Sequence, residues 1–446
     1  MGASLEQEQI SGLVTAVFRA WQGAGIPFLV LRNYEQLPHF TSNDIDVLVA
    51  PAVVRRAEAT LLAAAREAGF RVVNRGEFAT LAIYLAAEAS SAQAHFDLFT
   101  DLKWRGFDFL DCRAFLGRRL DRGLFAVPHP AHEAATNLLA HFVFTGQIKE
   151  KYRAGITAGF QSDPGVATEL LAGTYGPALA ASLVAAGAQG DWSRMESQAG
   201  ALRRTLILRQ IAFHPLRTVG TFLRDGARLV RRLLRPPGLT VVLCGVDGSG
   251  KSTAARSAIE GLRGTFSPAK GRQFHWKPPV FSGRRQAARG LISDPHAKPP
   301  RSGLISLLFF AVHWWEFLLG WPLRICPVTF RGGLVLIDRY YFDFFVDQRR
   351  YRLRVPPGLV RFGYRCLPKP DLVFLLDAPV DVLQGRKQEV SRAETERQRE
   401  AFLELIGNLP NGRIIAATQP ADQVAADIIR AVLDFLAQRA KPATGR

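Results

Sequence analysis

The stretch GVDGSGKST at 245–253 constrains this chain more than any other. It fits the pattern G-x-x-x-x-G-K-[ST] through Gly245, Gly250, Lys251 and Ser252. Before it stands LTVVLC, 239–244, a continuous apolar run of buried-strand length. After it, STAARSAIEGL repeats at helical spacing. A turn this tight needs glycine, because a backbone without Cβ atoms can wrap until consecutive amides point at one place. The helix that follows adds the positive end of its dipole. Gly245, Asp247, Gly248, Ser249, Gly250, Lys251, Ser252 and Thr253 are therefore candidates to bind the phosphates of ATP. Lys251 is placed to reach the β- and γ-phosphates, and the Ser252 hydroxyl to ligate Mg²⁺. Further short apolar runs, LVLID at 334–338, DLVFLLD at 371–377 and RIIAA at 413–417, alternate with helical patterns. That alternation predicts an α/β fold, a parallel sheet with helices on both faces.

GVDGSGKST, then LIDRYYFD at 336–343, then PDLVFLLDAP at 370–379, resembles in order and spacing the thymidylate kinase family of nucleoside monophosphate kinases, over roughly 238–440. The resemblance implies that Asp338 positions metal or acceptor and that Arg339 contacts the acceptor phosphate. It implies that 383–400 is a mobile lid, with Arg386, Lys387 and Arg392 closing over the transferring group, and that ATQP at 417–420 holds adenine. Where the family has a Glu-Pro-Gly type motif this chain reads FHWKPPVFSG, 274–283, and DQRRYRLR at 347–354 is an uncommon basic run. The chain also resembles thymidylate-kinase-like proteins of bacterial surface-polysaccharide and envelope pathways. The expected function is an ATP- and Mg²⁺-dependent kinase acting on a nucleotide or an acceptor of such a pathway. Two alternatives stay open: a lipid kinase at the membrane surface, and an NTP-binding regulatory or assembly protein.

Charge divides the chain. Residues 1–200 carry 17 basic and 20 acidic residues, and 201–446 carry 40 and 19. The excess predicts a polyanionic partner for the second part: phosphate substrates, an anionic membrane surface or nucleic acid. Nucleic acid is disfavoured, since no reading motif accompanies the charge. In 222–235, FLRDGARLVRRLLR, leucines interleave with arginines, as in a helix that lies on anionic lipid or equally in one that packs on the phosphate-loop domain with its arginines in solvent. LISLLFFAVHWWEFLLGWPL, 304–323, is long enough to cross a bilayer. However, it lies between the phosphate loop and Asp338, which one sheet must hold together. It is therefore expected to be a core helix, a homodimer interface or a lipid-facing surface. Four scattered cysteines without a CxxC pair argue against a disulfide scaffold. The opening residues show no secretory pattern, so the expected location is the cytoplasm, with peripheral contact at the inner face of the membrane left open.

A length of 446 residues predicts two or three domains. RPPG at 235–238 is the clearest breaker. The expected division is 1–130 as an α+β domain, 131–236 as a helical bridge with a basic amphipathic end, and 237–446 as the phosphate-loop domain. In NDIDVLVA, 43–50, alternation puts Asp44 and Asp46 on one strand face, and Asp97 in HFDLF is placed to converge on them. Three such carboxylates can hold Mg²⁺. LRNYEQLPHFTSNDIDVLV resembles the nucleotidyltransferase superfamily that includes DNA polymerase beta. Leu31, Arg32 and Asn33 replace that family's Gly-Ser or Gly-Gly turn.

Overall fold

The computed structural model describes residues 2–39, 41, 44–88, 90–266, 271–280 and 299–440. The chain divides into two units, Met1–Arg231 and Arg232–Arg446. Unit 1 is built on five strands, β1 (Phe28–Val30), β2 (Ile45–Val49), β3 (Phe70–Glu77), β4 (Leu81–Ala87) and β5 (Gln93–Phe99). Their order is β1-β2-β5-β4-β3. β2 and β5 run parallel, and the other neighbours antiparallel. Alternation sends Val30, Val47 and Val49 toward the core formed with the helices Gly2–Gly23 and Val54–Glu67. It sends Leu29, Leu31 and Leu48 to the other face. The sequence pattern passes over β3, where a register shift between Val72 and Asn74 breaks the period of two.

The second face leads into a hairpin, β6 (Leu102–Trp104) and β7 (Phe107–Leu110), a short ladder of β8 (Leu120–Asp121) and β9 (Ala126–Val127), and a helical layer. Trp104, Phe109, Phe115, Leu138, Phe142 and Leu202 share one core. The helices that the sequence sets apart as a bridge thus bury their apolar stripes against β6 and β7, and unit 1 runs on to Arg231.

His132 sits inside this layer. Its ring packs on Phe115, 4.9 Å between centroids, and its buried Nδ1 has no hydrogen-bond partner among the described residues. Burial, with His129 and Arg118 adding to it, pushes its pKa down to about 4. Between pH 6.5 and 4 the unfolded chain therefore takes up a proton that the folded chain refuses. Stability is expected to fall as pH drops through that window, by about 2 kcal/mol from this residue. His132→Phe should flatten the acid limb of a urea-denaturation series run from pH 7 to pH 4.5.

Unit 2 is a five-stranded sheet with every neighbouring pair parallel. Its strands are β10 (Leu239–Cys244), β11 (Arg272–Phe274), β12 (Leu334–Asp338), β13 (Leu372–Asp377) and β14 (Gly412–Ala416), in the order β11-β12-β10-β13-β14. All residues of β10 and β12 are buried. Since successive side chains point to opposite faces, both faces of the central sheet are covered. The chain leaves β10 for one side of the sheet and later returns to the other, which opens a crevice at the carboxyl ends of the strands.

Candidate active site

β10 delivers the phosphate loop to that crevice. Gly245, Gly248 and Gly250 have φ of 147°, 87° and 84°. A Cβ at Gly245 would lie 2.7 Å from the Leu376 carbonyl oxygen and from Ser249 Oγ, and one at Gly248 would lie 2.8 Å from the Leu383 carbonyl oxygen. These positions need glycine both for the turn and for the close approach of β13 and of the segment after it. The helix Lys251–Gly261 starts at the loop's end. Lys251 is buried, and its Nζ donates to the carbonyl oxygens of Gly245 at 2.9 Å and Val246 at 3.0 Å, and to Ser249 Oγ at 3.4 Å. Burial, with Arg339 acting in the same direction, lowers its pKa against the pull of Asp338, Asp247 and Asp343. Ser252 and Thr253, in the first turn of the helix, face solvent.

Asp338 ends β12 directly beside Leu243 of β10. Its side chain is buried, with Oδ2 3.2 Å from His275 Nδ1, while among the described residues Oδ1 has no hydrogen-bond partner. A hydroxyl at Ser252 and a free carboxylate oxygen at Asp338 are the hard oxygen donors that Mg²⁺ takes.

Arg339 follows with φ of 83°, its amide donating to the Leu243 carbonyl at 2.9 Å. Its guanidinium donates to Asp247 and, at 3.4 Å, to Asp343 Oδ2. Arg350 donates to the other oxygen of Asp247, to Asp347 at 3.3 Å and to Glu389 at 3.4 Å. Burial works against ionisation of Asp247, but Arg339, Lys251 and Arg350 outweigh it, and its pKa is well below the usual range. Asp343 is shifted the other way by full burial, despite Arg339 and the hydroxyl of Tyr351, which donates to it at 2.6 Å.

The segment that follows the edge strand β11 supplies a wall that sequence reasoning missed. Trp276 stacks on Tyr351 with centroids 4.1 Å apart and planes at 11°. Beneath it the buried Lys277 donates to the buried Glu316 and, at 2.8 Å, to His313 Nδ1. Burial lowers the Lys277 pKa against the pull of Glu316. Removing one member of a buried pair strands the other charge, whereas replacing both with apolar groups does not. Lys277→Met is expected to cost about 3–4 kcal/mol, and Lys277→Met with Glu316→Leu to come within about 1 kcal/mol of the parent, by urea denaturation. Of the motif FHWKPPVFSG, 281–283 lie outside the described residues.

The predicted lid comprises the helices Val380–Arg386 and Arg392–Gly407 with non-helical residues between them. Arg386 donates to the Ala417 carbonyl at 2.9 Å, on the ATQP side of the crevice. Lys387 pairs with Glu389. Arg392 pairs with Asp381 at 2.5 Å in solvent, so this structure does not bring it to the loop. Arg350 belongs to the basic run 347–354, which was its only signal in the sequence.

In unit 1, Asp46 and Asp97 are register partners on β2 and β5. Asp46 is buried and accepts from Arg32, and burial raises its pKa against that guanidinium. Asp44, His95 and Asp97 bring ligand atoms within 4.8 Å of one another. His95 Nδ1 lies 2.8 Å from Asp44, and Thr80 donates to Asp97 at 2.8 Å. His95 had no place in the sequence reading; its alternation with Asp97 on β5 was the available clue.

Comparison with known proteins bears on unit 2. The sequence profile of the thymidylate kinase family matches residues 243–428. The thymidylate kinase of Xanthomonas euvesicatoria pv. vesicatoria is 30% identical over 230 residues, 48% of this chain and 93% of that protein. That of Xylella fastidiosa strain M12 is 30% identical over 219 residues, 46% and 91%. A crystal structure of thymidylate kinase from Ehrlichia chaffeensis aligns at 18% identity with a TM-score of 0.33, covering 44% of this chain and all of that one. Through unit 2, therefore, the chain belongs to the thymidylate kinase family, as an ATP-dependent phosphotransferase that works with Mg²⁺.

Proposed function

We propose that unit 2 transfers the γ-phosphoryl group of ATP to a phosphate-bearing acceptor, a nucleoside monophosphate or a phosphorylated intermediate of an envelope-polysaccharide pathway, in the cytoplasm. The loop amides and Lys251 hold the β- and γ-phosphates; Lys251 exchanges its bonds to the Gly245 and Val246 carbonyls for phosphate oxygens. Ser252 and Asp338 would hold Mg²⁺, which when bound neutralises charge on the phosphates. Arg339 and Arg350, already fixed by Asp247, grip the acceptor phosphate and turn its oxygen toward the γ-phosphorus. A new P–O bond forms there as the bond to the β-phosphate oxygen breaks and ADP leaves. Arg386 steadies the nucleotide beside Ala417, and Arg392 joins on closure of the lid. The observation that carries the reading is the Asp338 oxygen left without a partner among the described residues, at a strand end directly beside the lysine loop.

The test is ADP release from Mg-ATP by the purified chain across thymidylate, other nucleoside monophosphates, sugar phosphates and lipid alcohols. Acceptor-dependent release with one phosphorylated compound supports the proposal. Release with a lipid alcohol alone would instead favour the lipid kinase, and tight ATP binding without turnover the regulatory protein.

For unit 1 we propose a nucleotidyltransferase-like scaffold, supported by the parallel β2–β5 pair that sets Asp46 beside Asp97. Asp44, Asp46 and Asp97 are its metal candidates, and Arg32 holds Asp46 in the meantime. If pathway output is unchanged in Asp44→Ala/Asp46→Ala, the unit has a structural role.

A further inference from the structure

Unit 1 holds a cleft of about 280 Å³ between its sheet, the β6–β7 hairpin and the helices Pro164–Tyr175, Ala199–Phe213 and Pro215–Leu234. Asp44 and Asp46 stand at the start of β2, whereas the cleft begins at Pro51, beyond the strand's other end. Its walls are fixed. Gln210 clamps the main chain of Asp108 with both ends of its amide: Nε2 donates to the Asp108 carbonyl, and Oε1 accepts from the Asp108 amide at 3.0 Å. The buried Tyr175 hydroxyl donates to the Phe109 carbonyl at 3.0 Å. Thr218 and Thr221 are the residues that Pro215–Leu234 buries, and both line the cleft. A helix that turns hydroxyls inward gives up apolar burial, which suits a lining for a polar guest.

Two charged groups of the lining lack a full set of partners. Lys103 pairs with Asp101 at 2.6 Å, and Asp111 caps the helix Cys112–Gly117 by accepting from the Arg113 amide at 3.0 Å. Arg217 pairs with Asp108 Oδ2 at 2.8 Å. Asp108 Oδ1, in contrast, is buried without a hydrogen-bond partner among the described residues, and Lys103 Nζ, at 3.9 Å, is beyond hydrogen-bond reach. Arg209 is the matching donor. Its guanidinium carbon lies 5.2 Å from the Phe213 ring centroid. Among the described residues its buried Nε has no hydrogen-bond partner and no acid pairs with it. Buried polar groups left unmade are costly, and these two share one cleft. A guanidinium on an aromatic face takes a carboxylate or a phosphate through paired N–H bonds. The Asp108 oxygen takes a donor. An ammonium would bring a third cation to a carboxylate that already faces Arg217 and Lys103, whereas a hydroxyl adds no charge.

We propose that this cleft binds a small hydroxylated anion, a sugar phosphate or a hydroxy acid, with Arg209 on its anionic group and Asp108 accepting from a hydroxyl. The site is independent of the phosphate loop of unit 2 and of the acceptor that loop serves. The test is isothermal titration calorimetry of the full chain with glucose-6-phosphate, glycerate, inorganic phosphate and glucose. It is run on the parent and on Lys251→Ala, because the loop of unit 2 also takes phosphate. At least one of the two hydroxylated anions should bind with a Kd below about 1 mM, equally in both proteins, and about 10-fold or more tighter than inorganic phosphate or glucose. Arg209→Gln should weaken that binding about 30-fold. Asp108→Asn, which turns a donor toward the guest while Arg217 holds the amide oxygen, should weaken it about 10-fold. Binding lost in Lys251→Ala would place the guest in the loop of unit 2 and overturn the proposal. Unchanged affinity in Arg209→Gln would overturn it as well, as would no binding of either hydroxylated anion.

Discussion

Replacing Lys251 with alanine should lower the rate of phosphoryl transfer about 10³-fold while leaving unit 2 folded. The ammonium group is the one cation that the loop itself contributes, and it sits inside the loop, bonded to two of its carbonyls. Burial, and Arg339 beside it, lower its pKa. In the proposed role its attraction to polyphosphate grows as charge develops on the leaving oxygen, so the loss should fall mainly on kcat. Alanine is a strong helix former at the first position of Lys251–Gly261, and the thermal midpoint should move only by the equivalent of about 1 kcal/mol. A coupled ADP assay beside a thermal melt separates the two. Retention of more than about a tenth of parental turnover would remove the loop from the mechanism.

Arg339→Ala should damage both catalysis and stability. The guanidinium lies between Asp247 and Asp343, and the second of these is fully enclosed with its pKa already raised by burial. Without Arg339, Asp343 keeps, among the described residues, the Tyr351 hydroxyl as its side-chain donor, and Asp247 keeps Arg350. Stranding buried carboxylates in this way costs about 3 kcal/mol. The left-handed backbone at 339 is equally unwelcome to arginine and alanine, so it does not confound the comparison. Transfer should fall about 10²-fold with a raised KM for the acceptor and little change for ATP. Arg339→Lys should recover part of the stability but little of the rate, because an ammonium cannot bridge two carboxylates with a planar fork. Equal rises in KM for ATP and acceptor would contradict the assignment.

The phosphate loop was legible because its chemistry is local: nine consecutive residues contain the turn, the charge and the hydroxyl. Asp338 was legible through its family motif and its place at the end of an apolar run. The aromatic wall that follows β11 was not. Trp276 and Tyr351 are far apart in sequence, and Lys277 meets Glu316 across 39 positions. Neither pairing leaves a periodic trace, since each depends on how β11 and an apolar helix settle together. β11 itself, Arg-Gln-Phe at a sheet edge, is too short and polar to announce a strand. Arg32 shows a different limit. Sequence alone presents it as a lost glycine turn, whereas the fold gives it a positive task as the counter-charge of Asp46.

Arg350 touches carboxylates from three separate stretches of unit 2: Asp247 in the phosphate loop, Asp347 after β12, and Glu389 between the two helices near the crevice. A dianion arriving at this guanidinium competes with all three simultaneously. Under the proposed role of Arg350, Glu389 and the acceptor phosphate contend for one cation, and each weakens the other's hold on it by the same factor.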